Sequence, residues 1–172
     1  MPDDIVLAST DDDYAAFGAL VREYWEWLRE CYVNLPGWIE TVGGHQAIDA
    51  ELASLQQKYA PPKGAVLLAR RGTAIVGCGA YWDLGGGTCE MKRLFVPDRF
   101  QGQGTGRLLC QALIDRATAD GYARMRLDTG DQNTSAIAMY TAMGFRICDP
   151  YRDYPADLLA HLLFMERPLA PT

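Results

Sequence analysis

The chain has 172 residues, of which 49% are hydrophobic and 22% charged, the balance of a packed domain and not of a disordered or fibrous chain. Its formal net charge of -6 argues against nucleic acid as the main partner, since phosphate binding needs clustered Lys and Arg, and favours a cationic or amine-bearing one. Five cysteines, an odd number with no C-x-x-C pair, read as reduced thiols in a cytoplasmic protein, and His45 and His161 have no partners at ligand spacing, so no metal is expected.

The start, MPDDIVLASTDDD, lacks a basic leader, and no apolar run approaches bilayer length, so no membrane partner is expected. After the apolar stretch Ile5 to Ala8, STDDD offers capping residues and negative charge for a helix. Phe17, Leu20, Val21, Tyr24, Trp25, Leu28 and Tyr32 then form one helical stripe ending before Pro36. A loop over 36–44 is predicted next, followed by a second helix from about Gln46 to Tyr59, stopped by Pro61 and Pro62.

From Gly64 the period changes. AVLLAR, AIVGCGAYW and CEMKRLFV are three β-prone runs separated by Arg71-Gly72 and Gly85 to Gly87, most simply three consecutive antiparallel strands. Pro97 ends the third; a glycine-rich turn follows, then a helix marked by Leu108, Leu109, Ala112 and Leu113 that closes at Gly121. ARMRLDT reads as a strand, SAIAMYTAM as a helix closed by Gly144, and FRIC and LLFMERPL as terminal strands. The fold class is α+β with a mixed sheet, and no linker or repeat divides residues 1–172 into two domains.

The turn QGQGTG, Gln101 to Gly106, carries the most information. Its alternating glycines admit φ > 0 and bring several N–H groups, with the positive end of the next helix, against an anion; a plain flexible turn is the competing reading. Gly106 is followed by Arg107 and Leu108, so the Lys-Ser/Thr of a Walker loop is missing. A dinucleotide fingerprint is also unsuitable, because G-x-G-x-G follows antiparallel strands.

The run CEMKRLFVPDRFQGQGTGRLLCQALIDRA, then GYARMRLDT, then NTSAIAMYTAMGF closely resembles the acetyl-CoA core of the GNAT N-acetyltransferase superfamily, strongly over Thr88 to Phe145. The resemblance implies a mostly antiparallel central sheet flanked by helices, whose fourth and fifth strands splay into a cleft. Residues 1–63 would then be the variable substrate side, 64–145 the acetyl-CoA core and 146–172 terminal strands. Backbone groups of Leu94, Phe95 and Val96 would pair with pantetheine, and Gln101, Gly102, Gln103, Gly104, Thr105, Gly106 and Arg107 would wrap the pyrophosphate.

The implied activity is acetyl transfer from acetyl-CoA to a primary amine of a small molecule or peptide, by direct attack in a ternary complex. It needs a base, an oxyanion donor and an acid. Glu90 stands where some relatives place their base, and a strand Glu paired with Lys92 or Arg126 is the alternative. Tyr140 matches the family's general acid, against plain helix packing, and Asn133 matches a pantetheine contact, against helix capping. Asp128 is a second candidate base. Acceptor contacts fall to Tyr24, Trp25, Trp27, Trp38 and Trp82, with Glu23, Glu26, Glu30 and Asp83 nearby, although at this spacing such aromatics are more often core. Dimers are common in the family, so a homodimer is compatible with the resemblance.

Overall fold

The computed structural model describes residues 3–169, so the outermost residues of the expected domain lie outside the described residues. In chain order the elements are β1 (Asp4–Leu7), α1 (Asp11–Cys31), α2 (Trp38–His45), α3 (Ile48–Ala53), α4 (Leu55–Tyr59), β2 (Gly64–Arg71), β3 (Ala74–Gly85) and β4 (Thr88–Phe95). There follow α5 (Thr105–Ala119), β5 (Arg124–Gly130), α6 (Thr134–Ala142), β6 (Arg146–Ile147), α7 (Ala156–Leu159) and β7 (Leu162–Pro168).

The strands form one sheet in the order β1-β2-β3-β4-β5-β7-β6, antiparallel everywhere except between β4 and β5. Side chains alternate across it, as the pleat requires: Val66 and Leu68 face α1, whereas Ala65, Leu67 and Ala69 face α5. The sheet thus separates two cores. Helix α1 starts on a capping box, Thr10 Oγ1 accepting from Asp13 N at 3.2 Å while the Asp13 carboxylate accepts from Thr10 N at 3.1 Å. Its apolar stripe buries Phe17, Val21, Trp25 and Leu28. Helix α5 sits on the other face, where bare Gly79 lets Leu113 approach; a Cβ there would lie 2.7 Å from Leu113 Cδ1.

The region between α1 and β2 departs from the sequence prediction. The expected loop over 36–44 contains α2, and the expected helix over 46–59 is two short helices, α3 and α4. Ala47 at φ 51 interrupts the first boundary and Ser54 at φ -141 the second. Neither residue is a Gly or Pro, so no local signal marks the breaks. The four-residue α7 was not predicted, and the strand expected over 145–148 is reduced to the two residues of β6.

Candidate active site

The site follows from how β4 and β5 part company. They pair only where Thr88, Cys89 and Glu90 meet Arg124, Met125 and Arg126; beyond that register their facing edges carry no ladder. On its other side β4 is bulged, since Ala80 pairs with Lys92 but Cys78 already pairs with Phe95. Arg93 takes the extra position at φ 58, a left-handed conformation that strains a residue bearing a Cβ. The bulge shifts the pleat by one residue, so Met91 faces the α5 core while Phe95, four residues on, faces the α1 core.

The strain at Arg93 is offset by its side chain. Arg93 Nε donates to Glu51 Oε1 at 2.7 Å and its Nη2 to Glu51 Oε2 at 2.9 Å, a bidentate pair with both residues buried. Its Nη1 donates to Gln46 Oε1 at 2.7 Å, and its guanidinium lies 5.3 Å from the Trp25 ring centroid. Gln46 then reaches across the opening, its Nε2 donating to Asp128 Oδ2 on β5 at 3.2 Å. One amide side chain therefore ties both arms of the splay together. Asp128 also accepts from Lys92 Nζ at 2.9 Å and from the Tyr154 hydroxyl at 3.4 Å.

Between the arms lies a cleft of about 360 Å³. Leu94, Phe95, Val96, Gln101, Gly102, Gly104, Thr105, Gly106, Arg107, Asn133 and Tyr140 all line it. Gln103 does not; it is an exposed residue of the turn. Gly102 at φ 77 and Gly104 at φ 84 both use the left-handed freedom the turn requires, and Gly104 opens α5 with no side-chain cap. The first N–H groups of α5 thus carry no side-chain acceptor at the rim. Gln101 braces the turn, its Nε2 donating to Val96 O at 2.9 Å and Asp98 Oδ1 at 2.8 Å.

Across the cleft, Asn133 precedes α6 but makes no capping hydrogen bond. Its Nδ2 donates to Thr129 Oγ1 at 3.2 Å, and its buried Oδ1 is left without a protein partner. An unpaired buried acceptor in a cleft wall is suited to a ligand N–H. Tyr140 is also in the wall, and burial, followed by the charges of Cys110, Tyr24 and Asp128, raises its phenol well above the usual tyrosine range. The phenol stays protonated at neutral pH.

Glu90 has a different setting. It is fully buried and is not in the cleft wall. Trp82 Nε1 donates to it at 2.7 Å, the Tyr151 hydroxyl at 2.9 Å and Arg152 Nε at 3.1 Å; a second Arg152 nitrogen bonds it, and Lys92 Nζ lies 3.4 Å away. Burial pushes its carboxyl up, but the Lys92 charge and the Arg152 hydrogen bonds outweigh that and hold it at about 2. Glu90 thus has the Lys92 pairing of the ion-pair alternative, with Arg152 in place of Arg126 beside it. Spacing could anticipate Lys92, two residues away, but not Tyr151 or Arg152, more than sixty residues on.

The wall expected to meet the acceptor comes from α1 and α2. Tyr24, Trp25, Trp27 and Trp38 line the cleft, joined by Tyr32, which stacks on Trp38 at 4.6 Å between centroids. Trp82 does not; it serves Glu90. The acids expected beside these rings, Glu23, Glu26, Glu30 and Asp83, are absent from the wall, and Glu23 pairs with Arg99 at the surface. Asp128 is the one carboxylate lining the cleft among the described residues. The sequence places Tyr32 in the helical stripe and Gln46 at a helix start but marks neither as a site residue, and only the structure reveals their position at the cleft. All five cysteines are free thiols, and burial pushes Cys89 and Cys110 up to about 12. Among the described residues no helix is long and apolar enough to cross a membrane, and no three His, Cys, Asp or Glu residues form a metal-holding group.

The comparisons with known proteins agree with this geometry. The family model described as the acetyltransferase (GNAT) family matches residues 21–145. An uncharacterised N-acetyltransferase of Schizosaccharomyces pombe is 39% identical over 153 residues, covering 87% of this chain and 86% of the relative. A crystal structure from Klebsiella pneumoniae, described as an acyl-CoA N-acyltransferase, is 28% identical with a TM-score of 0.68 over 98% of both chains. An acetyltransferase fold from Salmonella typhimurium, solved with its cofactor acetyl-CoA, is 20% identical with a TM-score of 0.66 over 99% of this chain and 95% of its own. The chain belongs to the GNAT family and is an acyltransferase of the N-acetyltransferase kind.

Proposed function

We propose that this protein transfers the acetyl group of acetyl-CoA to a primary amine of a small molecule or peptide, by direct attack in a ternary complex. The observation that carries the reading is the unpaired Asn133 Oδ1, set in the same cleft as the open edges of β4 and β5, the uncapped start of α5 and the protonated Tyr140 phenol. These features fit the coenzyme, which the Salmonella fold also binds. Leu94, Phe95 and Val96 would meet the pantetheine arm with backbone groups and Asn133 would accept from one of its amides; Gln101, Gly102 and Gly104 to Arg107 would hold the pyrophosphate.

When bound, acetyl-CoA supplies an acetyl thioester and leaves as the free thiol. The chain contributes alignment and proton handling. Backbone N–H groups at the bulge, Leu94 or Phe95, steady the acetyl oxygen. Tyr140 gives its phenolic proton to the departing sulfur and regains, through water, the second proton that the amine nitrogen sheds as the amide forms. Asp128 orients the ammonium and takes its proton directly or through water, with Gln46, Lys92 and Tyr154 holding the carboxylate in place. Glu90 is assigned a positioning role, anchoring Lys92 beneath Asp128.

Direct attack requires both substrates on the enzyme together. Initial rates measured while acetyl-CoA and an amine are both varied should give intersecting double-reciprocal lines. Parallel lines would instead indicate an acyl-enzyme and contradict the reading.

A further inference from the structure

We infer that the acyl acceptor is a compact primary amine bearing one positive charge on an apolar body. This deepens the transfer reaction proposed above and rests on it. Three observations converge. The first is size: about 360 Å³ is at the small end of ligand cavities, and the acceptor must share it with the acetyl-bearing arm. The acceptor chamber cannot take a large polar scaffold.

The second is charge. Asp128 is the only carboxylate of the cleft among the described residues, while Lys92, Arg93 and Arg107 line it too. Lys92 and Arg93 are held by Glu90, Asp128 and Glu51. One ammonium can therefore be met by Asp128, but a second would be desolvated with no acid to receive it. Diamines and lysine-rich peptides are disfavoured on this count.

The third is the wall. Trp38, Ile39 and Val42 of α2 and Trp25 and Leu28 of α1 present buried apolar surface. Trp25 Nε1 and Trp38 Nε1 are buried in that wall without partners; both are donors, which cannot solvate a second cation and would meet at most an uncharged acceptor atom on the apolar body. An aryl or branched-alkyl group beyond the amine gains by burial against this surface.

The test uses the whole chain with acetyl-CoA at saturation, reading thiol release with four probes: 2-phenylethylamine, 3-methylbutylamine, 1,4-diaminobutane and a hexapeptide with one lysine. The two apolar monoamines should exceed the other two in kcat/KM by about tenfold or more. If the diamine or the peptide matches or exceeds them, the inference is overturned while the transfer reaction stands. If no probe releases thiol, the proposed reaction fails with these amines, and selectivity is decided by calorimetry on the CoA-loaded protein. Binding of 2-phenylethylamine at least about tenfold tighter than 1,4-diaminobutane sustains the inference, and a smaller or inverted ratio ends it. In the same format Asp128→Asn should weaken 2-phenylethylamine about tenfold and leave neutral 2-phenylethanol unchanged. Equal losses for both ligands, or none for the amine, would refute the role given to Asp128.

Discussion

Replacing Glu51 by Gln probes the device that holds the bulge open. The variant keeps the shape of the side chain but removes the charge facing Arg93, which is buried and has the left-handed backbone. Burial pushes the Glu51 carboxyl up, yet the Arg93 hydrogen bonds and charge, helped by Lys58, pull it from 4.5 down to about 2. A displacement of that size corresponds to about 3 kcal/mol of stability at neutral pH. Breaking one partner of a buried pair independently suggests about 3–5 kcal/mol. Because the folded carboxyl is the stronger acid, this stability is complete above pH 4.5 and is lost as pH falls towards about 2. Urea unfolding followed by circular dichroism at pH 7 should show Glu51→Gln less stable by about 3 kcal/mol. Adding Arg93→Gly, which removes the stranded cation and relaxes the left-handed backbone, should recover part of the loss. A single variant within about 1 kcal/mol of the parent, or a double variant no better than the single, would refute the reasoning.

Further outcomes follow from the same contacts. Glu90→Gln should destabilise the fold by about 3 kcal/mol, since it removes the carboxylate that holds Arg152 and leaves Lys92 to Asp128 alone, while leaving the pH midpoint of the rate where it was; a shifted midpoint would return Glu90 to the role of base. Asn133→Ala should weaken acetyl-CoA binding about fivefold by calorimetry, the worth of one hydrogen bond, with a smaller effect on unfolding because no cap is lost. Unaltered affinity would remove Asn133 from the coenzyme site.

The half of the cleft proposed for the coenzyme was legible as structure in the sequence because its signals are local. Glycines at 102 and 104 stand directly between a strand and an apolar-periodic helix and adopt the left-handed conformations that glycine allows, while Gly106 lies inside the first turn of α5. The half proposed for the acceptor was not legible, for two physical reasons. The helix breaks at Ala47 and Ser54 have no Gly or Pro to announce them. The fate of a carboxylate depends on partners distant in sequence: Glu90 is claimed by Tyr151 and Arg152, and Asp128 by Gln46, Lys92 and Tyr154. The bulge at Arg93 left no residue signature either, since a glycine would be the ordinary choice at φ 58. Its guanidinium, not its backbone preference, secures the conformation.

The most direct test of the central claim is the turnover of Tyr140→Phe at saturating acetyl-CoA and amine, read as thiol release. The substitution removes one hydroxyl from a buried ring that packs edge-on against Phe145, so folding and coenzyme affinity should be little changed. If the phenol protonates the departing sulfur, kcat falls by about a hundredfold or more while the acetyl-CoA dissociation constant stays within about twofold. Undiminished kcat would contradict the account.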